Sequence, residues 1–145
     1  MSLFRDYKIT DSEEIMNLMS QLGYPVENSD RITIRFNKIL SDKSYFIKVL
    51  EDNNKIIGFC GYHKMYMIED DQSYIRIISL VINENYRGKG YGSKFIEFVE
   101  QHALNLNCNI LTLNSGLKEY RISAHQFYLS NGFSIKSNGF IKKIN

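Results

Sequence analysis

The sequence predicts an α+β fold, and three observations predict it. Two β-rich runs, residues 45–50 and 55–63, flank the short polar stretch 51–54, which is the pattern of a hairpin. A third apolar run, 74–82, leads into the glycine-rich stretch 83–93 and then into an amphipathic helical pattern. Two more helical stripes precede the hairpin. No repeat, linker or low-complexity tract intervenes, so residues 1–145 are expected to form a single domain, long enough to bury a core.

Taken in order, residues 4–9 read as a first strand. Thr10, Asp11 and Ser12 with Glu13 and Glu14 offer overlapping capping boxes, and Ile15, Leu18, Met19 and Leu22 form the stripe of a first helix that Gly23-Tyr24-Pro25 ends. Ser29 or Asp30 is expected to cap a second helix with Ile32, Phe36, Ile39 and Leu40 inward. The hairpin follows. Run 74–82 is apolar on both faces, as in a central, covered strand. Phe95, Val99, His102 and Leu106 line a third helix, 109–114 is a strand, and 119–130 a fourth helix. Two short strands, 133–136 and 139–143, are expected to close the chain.

The strand, glycine-rich turn and helix around Arg87 form an arrangement suited to anions. A turn of this kind presents successive N–H groups, the helix N-terminus adds unpaired donors and the positive end of its dipole, and Gly90 and Gly92 let the main chain approach a ligand. The spacing is not that of a P-loop, because Ser93 stands where its second glycine belongs. It also fails the dinucleotide fingerprint, where Ser93 again replaces the third glycine. What fits is R-x-x-G-x-G, as Arg87, Gly90 and Gly92. A second group lies downstream: Asn114, then Arg121, Ala124, His125, Phe127, Tyr128, Asn131, Gly132 and Phe133. Ala124, Phe127 and Tyr128 share one helical face, and Asn131-Gly132 supplies a helix stop.

Both motifs, in this order, resemble those of the GNAT N-acetyltransferase superfamily, and the resemblance spans essentially the whole chain. It implies an α/β/α sandwich: a central mixed, mostly antiparallel sheet flanked by helices, with a splayed fourth and fifth strand. It implies acetyl-CoA as cosubstrate, no metal, and direct attack of a primary amine without an acyl-enzyme. Carried over by position, the pantetheine contacts are Leu80, Val81 and Ile82. The pyrophosphate loop is Arg87, Gly88, Lys89, Gly90, Tyr91 and Gly92, with Ser93 opening the helix. Asn114 faces the cofactor, and Tyr128 is the acid that protonates the thiolate. His125, one turn before Tyr128 on the same helical face, is within reach of the cofactor.

Acetyl transfer sets further demands. Only about one alkylamine in a thousand is unprotonated at pH 7, so a proton must be removed first. Many relatives place a Glu for this on strand four; here the position holds Ser79, which leaves the base unassigned. His63 on strand three, and a water chain ending on backbone carbonyls, are the candidates that remain; His102 reads as structural. The acceptor is also open. The segment 124–129 and the pattern 137–143 look like the aminoalkylphosphonate branch, whereas Glu69, Asp70 and Asp71 favour a cationic amine such as a polyamine, an aminoglycoside or a peptide amine. A solvated turn is the plainer reading of those three acids. The first two helices, with Tyr24, Pro25 and Arg31, are the acceptor wall the resemblance implies.

Composition narrows the classes. A net charge of +2 is too mild to argue for nucleic acid or an anionic membrane surface. No apolar run is long enough to span a bilayer, and the first residues carry no signal-peptide pattern. Cys60 and Cys108, both in apolar contexts, read as reduced core residues of a cytoplasmic protein. Two other classes stay open: a non-catalytic acyl-CoA sensor or interaction module, and a nucleotide binder, the latter disfavoured because no acidic ribose-binding residue follows. A homodimer through terminal strands or helix faces is a further expectation, with Phe133 and Phe140 as its apolar surface.

Overall fold

A computed structural model describes residues 2–115 and 122–144. The chain forms two compact units, residues 1–112 and 113–145. In the first, β1 (Ser2–Asp6) precedes α1 (Ser12–Leu22) and α2 (Ser29–Leu40). Then come β2 (Tyr45–Asp52), β3 (Lys55–Tyr66), β4 (Ser73–Ile82), α3 (Tyr91–Asn105) and β5 (Leu111–Leu113), whose last residue begins the second unit.

The five strands lie in the order β1-β2-β3-β4-β5. The first four are antiparallel neighbours. The helical crossover through α3 returns β5 in the direction of β4 and makes the sheet mixed. Asn53 and Asn54, both at positive φ (51° and 65°), close the β2–β3 hairpin as a two-residue turn.

Cross-strand pairs sort the two faces. Val49, Phe59 and Val81 are in register and pack with Ile15 and Leu18 of α1 and Ile32 and Phe36 of α2. Two residues further along lies the row Ile47, Gly61, Ser79, and beyond it the row Tyr45, His63, Arg76, all on that same face. The opposite face carries Phe46, Tyr62 and Ile77, and α3 covers it: the Tyr62 hydroxyl lies 2.6 Å from His102 Nδ1. Burial pushes the Tyr62 phenol up and, together with the Lys48 charge, pushes His102 down.

Several expectations are corrected. β1 stops at Asp6, because Asp11 accepts Lys8 N–H at 2.8 Å and draws Ile9–Asp11 into a 3₁₀ turn. Neither Ser29 nor Asp30 caps α2; Asn28, in extended geometry, accepts from Arg31 N–H. Leu106 is the C-cap of α3 and not part of its buried stripe, which is Phe95, Ile96, Val99 and Ala103.

In the second unit α4 (Ile122–Ser130) ends in a Schellman motif. Phe133 N–H bonds Tyr128 O and Gly132 N–H bonds Leu129 O, with Gly132 at φ 89°. The expected start of this helix at 119 lies outside the described residues. The two expected closing strands do not form: residues 133–144 carry no regular structure, and Ile135, Phe140, Ile141 and Ile144 are each at least four-fifths exposed. Strand-forming side chains do not make a strand without a partner edge to complete the ladder.

Candidate active site

β4 carries the first element of the site. Gly61 pairs with Ser79 while Tyr62 pairs with Ile77, so Ile78 is an extra residue, a β-bulge, and its side chain is half exposed. Ile75 N–H bonds Ile110 O, and three residues further on β5 ends, near the level of that bulge. Leu80, Val81 and Ile82 therefore run on beyond β5. In an antiparallel strand alternate residues turn their N–H and C=O away from the paired neighbour, and here such groups face outward from β3.

The loop after β4 is organised by its own backbone. Asn83 Oδ1 accepts Asn85 N–H at 2.9 Å, and Tyr86 N–H bonds Asn83 O. Arg87 donates from Nε to Ile82 O at 2.9 Å, so its first role is to tie the loop to the strand end. Gly88 and Gly90 sit at φ 76° and 86°, where a side chain is strained. A Cβ on Gly90 would meet nothing within 4 Å, so the space above it is open. Gly90 is the N-cap of α3, no side chain caps the helix, and the first backbone bond is Lys94 N–H to Gly90 O at 3.1 Å. The N–H groups of Tyr91, Gly92 and Ser93 thus form an uncapped helix start. Lys89 lies over the Tyr86 ring and Lys94 over the Tyr91 ring, at 5.5 and 5.8 Å. A cavity of about 400 Å³ borders the loop, between Glu14 and Asn17 of α1, Lys55, and Asn85 and Lys89. Cation-rich, uncapped and sterically open, the loop fits a diphosphate.

Leu80 to Ser93 are thus brought together by chain continuity. Asn114, His125 and Tyr128 belong to the second unit. Asn114 Nδ2 lies 3.5 Å from where a Cβ would stand on Gly139. His125 and Tyr128 are one turn apart on α4, and the Tyr128 ring packs edge-on against Phe127 and Phe133, centroids 5.2 and 5.6 Å away.

Sequence reasoning located His63 but not its surroundings. Ser44 Oγ lies 2.8 Å from His63 Nε2 and 2.6 Å from Asp42 Oδ1, Ser44 N–H also donates to Asp42, and the Tyr45 ring lies tilted against the imidazole, centroids 4.1 Å apart. The Ser44 hydrogen bonds hold the Asp42 carboxyl below the usual carboxylate range. The signal was Asp42-Lys43-Ser44, a spacing that favours a local side-chain turn. The acids 69–71 stand at the tip of the β3–β4 hairpin, before Ser73. At 3.3 Å per residue, Ser79 is about 20 Å along the strand from there. Among the described residues no group of three or more His, Cys, Asp or Glu could hold a metal, and no helix is long and apolar enough to cross a membrane.

Sheet, bulge and glycine loop define an acyltransferase-type fold, and comparison with known proteins agrees. Residues 12–133 match the model of the acetyltransferase (GNAT) family, so the chain belongs to that family. It is 30% identical to the uncharacterized N-acetyltransferase YhdJ of Bacillus subtilis over 76% of each chain. It is 24% identical to the aminoalkylphosphonate N-acetyltransferase of Salmonella typhimurium, over 72% of this chain and 67% of that one. Among solved structures, a GNAT family acetyltransferase of Staphylococcus aureus superposes with a TM-score of 0.85 at 34% identity, covering 99% of this chain and 98% of the other.

Proposed function

We propose that the protein transfers an acetyl group from acetyl-CoA directly to a primary amine of a small molecule or peptide. The observation that carries this reading is the open, uncapped glycine loop at the end of a strand that outruns its neighbour. The loop N–H groups and Lys89 take the pyrophosphate, and Leu80 to Ile82 take the pantetheine arm as an added strand. Asn114 and His125 are the further cofactor contacts this reading assigns. The thioester carbonyl needs a fixed donor for its oxyanion, which an outward β4 N–H supplies. Tyr128, a phenol that stays protonated at neutral pH, gives its proton to the departing thiolate.

Amines that also bear a phosphonate or phosphate head the panel of acceptors. The Salmonella relative is named for such a substrate, and the acidic hairpin tip stands away from the bulge, which removes the main argument for a cationic acceptor. Two buried free cysteines suit a reducing, cytoplasmic setting. Ser79 in the place of a catalytic Glu is the observation that favours the other reading, a non-catalytic acyl-CoA binder.

Turnover decides. Tyr128→Phe keeps the ring against Phe127 and Phe133 and removes the donor. It is expected to leave acetyl-CoA affinity and melting temperature nearly unchanged while kcat falls by roughly 10²-fold. A chemistry-limited assay with undiminished kcat would rule out the acid role, and a parent that turns over no amine yet binds acetyl-CoA would favour the sensor.

A further inference from the structure

We propose that His63 is the base that takes the proton from the acceptor ammonium, an assignment that rests on the acetyltransferase reading above. The demand comes from the chemistry: the amine arrives protonated, and Ser79, at the bulge, is no base at neutral pH. The row Tyr45, His63, Arg76 is the next one along the same sheet face from Gly61 and Ser79. Successive rows on one face are about 7 Å apart, a gap that an amine or one water fills. The space is open at Gly61, where a Cβ would meet no atom within 4 Å. Helices α1 and α2 pack on the neighbouring row of Val49, Phe59 and Val81 and their core reaches Ile47 on β2, so the opening lies on the Gly61 and Ser79 side of the row.

The surroundings of the ring fix which nitrogen can act. The hydroxyl of Ser44 donates to the Asp42 carboxylate at 2.6 Å, so its oxygen accepts the Nε2–H of His63 at 2.8 Å. Nδ1 then carries the lone pair. Nε2 stays hydrogen-bonded to the Ser44 oxygen, and through it to Asp42, while Nδ1 takes and releases a proton. The groups facing the ring from each neighbouring element are Asp42 and Ser44 in the turn after α2, Tyr45 on β2 and Arg76 on β4.

The proton balance closes without another reagent. An ammonium N–H bond breaks and the proton moves to Nδ1, leaving a neutral amine. Its nitrogen forms the C–N bond, the C–S bond breaks, and the nitrogen loses its second proton as the thiolate gains one. His63 returns its own proton to water, one for each amide made.

The test compares full-length parent, His63→Gln and Asp42→Asn in acetylation of an amine the parent turns over, with pH profiles of kcat/KM from pH 5.5 to 9. His63→Gln is expected to lower kcat/KM at pH 7 by roughly 10²-fold, to abolish the imidazole limb on the acid side, and to keep the parent's acetyl-CoA affinity. Asp42→Asn removes the carboxylate that orders the Ser44 hydroxyl and should lower kcat/KM while the enzyme stays active. A ring that merely holds the turn to β3 leaves the acid limb in place when it is replaced. If His63→Gln, or His63→Asn should the first variant not fold, keeps the parental limb, the base role is overturned while the acetyltransferase reading stands. A parent that binds acetyl-CoA and acetylates no amine overturns both.

Discussion

Arg5 donates to both carboxylate oxygens of Asp11 at 2.9 Å and to Glu51 at 2.9 Å, tying β1, the following turn and β2 into one ion network. Burial pushes the Asp11 carboxyl up, but the Arg5 hydrogen bonds, the Lys8 N–H and the nearby positive charges outweigh it and leave the group below its ordinary range. A depressed carboxyl contributes stability that is present above the unfolded pKa of about 3.9 and is lost as pH falls through the lower folded value. Asp11→Asn is therefore expected to lower stability at pH 7 by about 2 kcal/mol, toward the low end for a broken partly buried pair because Glu51 still holds Arg5. Its urea midpoint should also change less than the parent's between pH 5 and pH 2. A midpoint equal to the parent's at pH 7 would show that Glu51 alone suffices. Burial raises the Cys60 thiol well above its ordinary value, so it does not compete with free CoA in a thiol-based assay of the native protein.

At the scale of elements, most of the architecture was legible because it rests on local chemistry. Gly23 and Gly132 announced two helix ends, and both are left-handed caps with bonds back to Met19 and Tyr128. Asn107, at φ 61°, ends α3 in the same way and gave no comparable signal, since Asn in this role looks like any polar residue. The bulge at Ile78 was also illegible in place. Nothing in Ile77-Ile78-Ser79 marks it, and the pairing is set by the opposite strand, where Gly61 and Tyr62 face Ser79 and Ile77. The glycine loop was read from spacing, and its geometry yields a test. Gly90→Ala and Gly23→Ala both put a methyl on a left-handed backbone, at φ 86° and 99°, with nothing within 4 Å. Each should cost about 1 kcal/mol of stability. Only the Gly90 methyl would stand in the space assigned to pyrophosphate, so only that variant should weaken acetyl-CoA binding, by more than tenfold in calorimetry. Equal affinities for the two variants would remove the loop assignment.

At the scale of the whole molecule, residues 133–144 are the place where sequence and structure part. The side chains are those of strands, yet the segment has no ladder, and Phe140, Ile141 and Ile144 are more than nine-tenths exposed. Strand-forming, apolar chain left without an edge is what adds to the edge of a second sheet, and a second copy of this protein offers the same sequence to pair with. A homodimer through this segment is accordingly expected, with the exposed Phe140 at its centre and Phe133, whose ring packs on Tyr128, at the start of the segment. The chain mass is 17.0 kDa, so light scattering at tens of micromolar should report about twice that value. Phe140→Asp with Ile141→Lys should return the mass to that of one chain, because charges at the centre of an apolar contact are left without partners when it closes. Neither residue belongs to the proposed acetyl-CoA loop, so acetyl-CoA affinity should survive the change. A parent already monomeric at that concentration would remove the proposal, and a dimer indifferent to both substitutions would place the interface elsewhere.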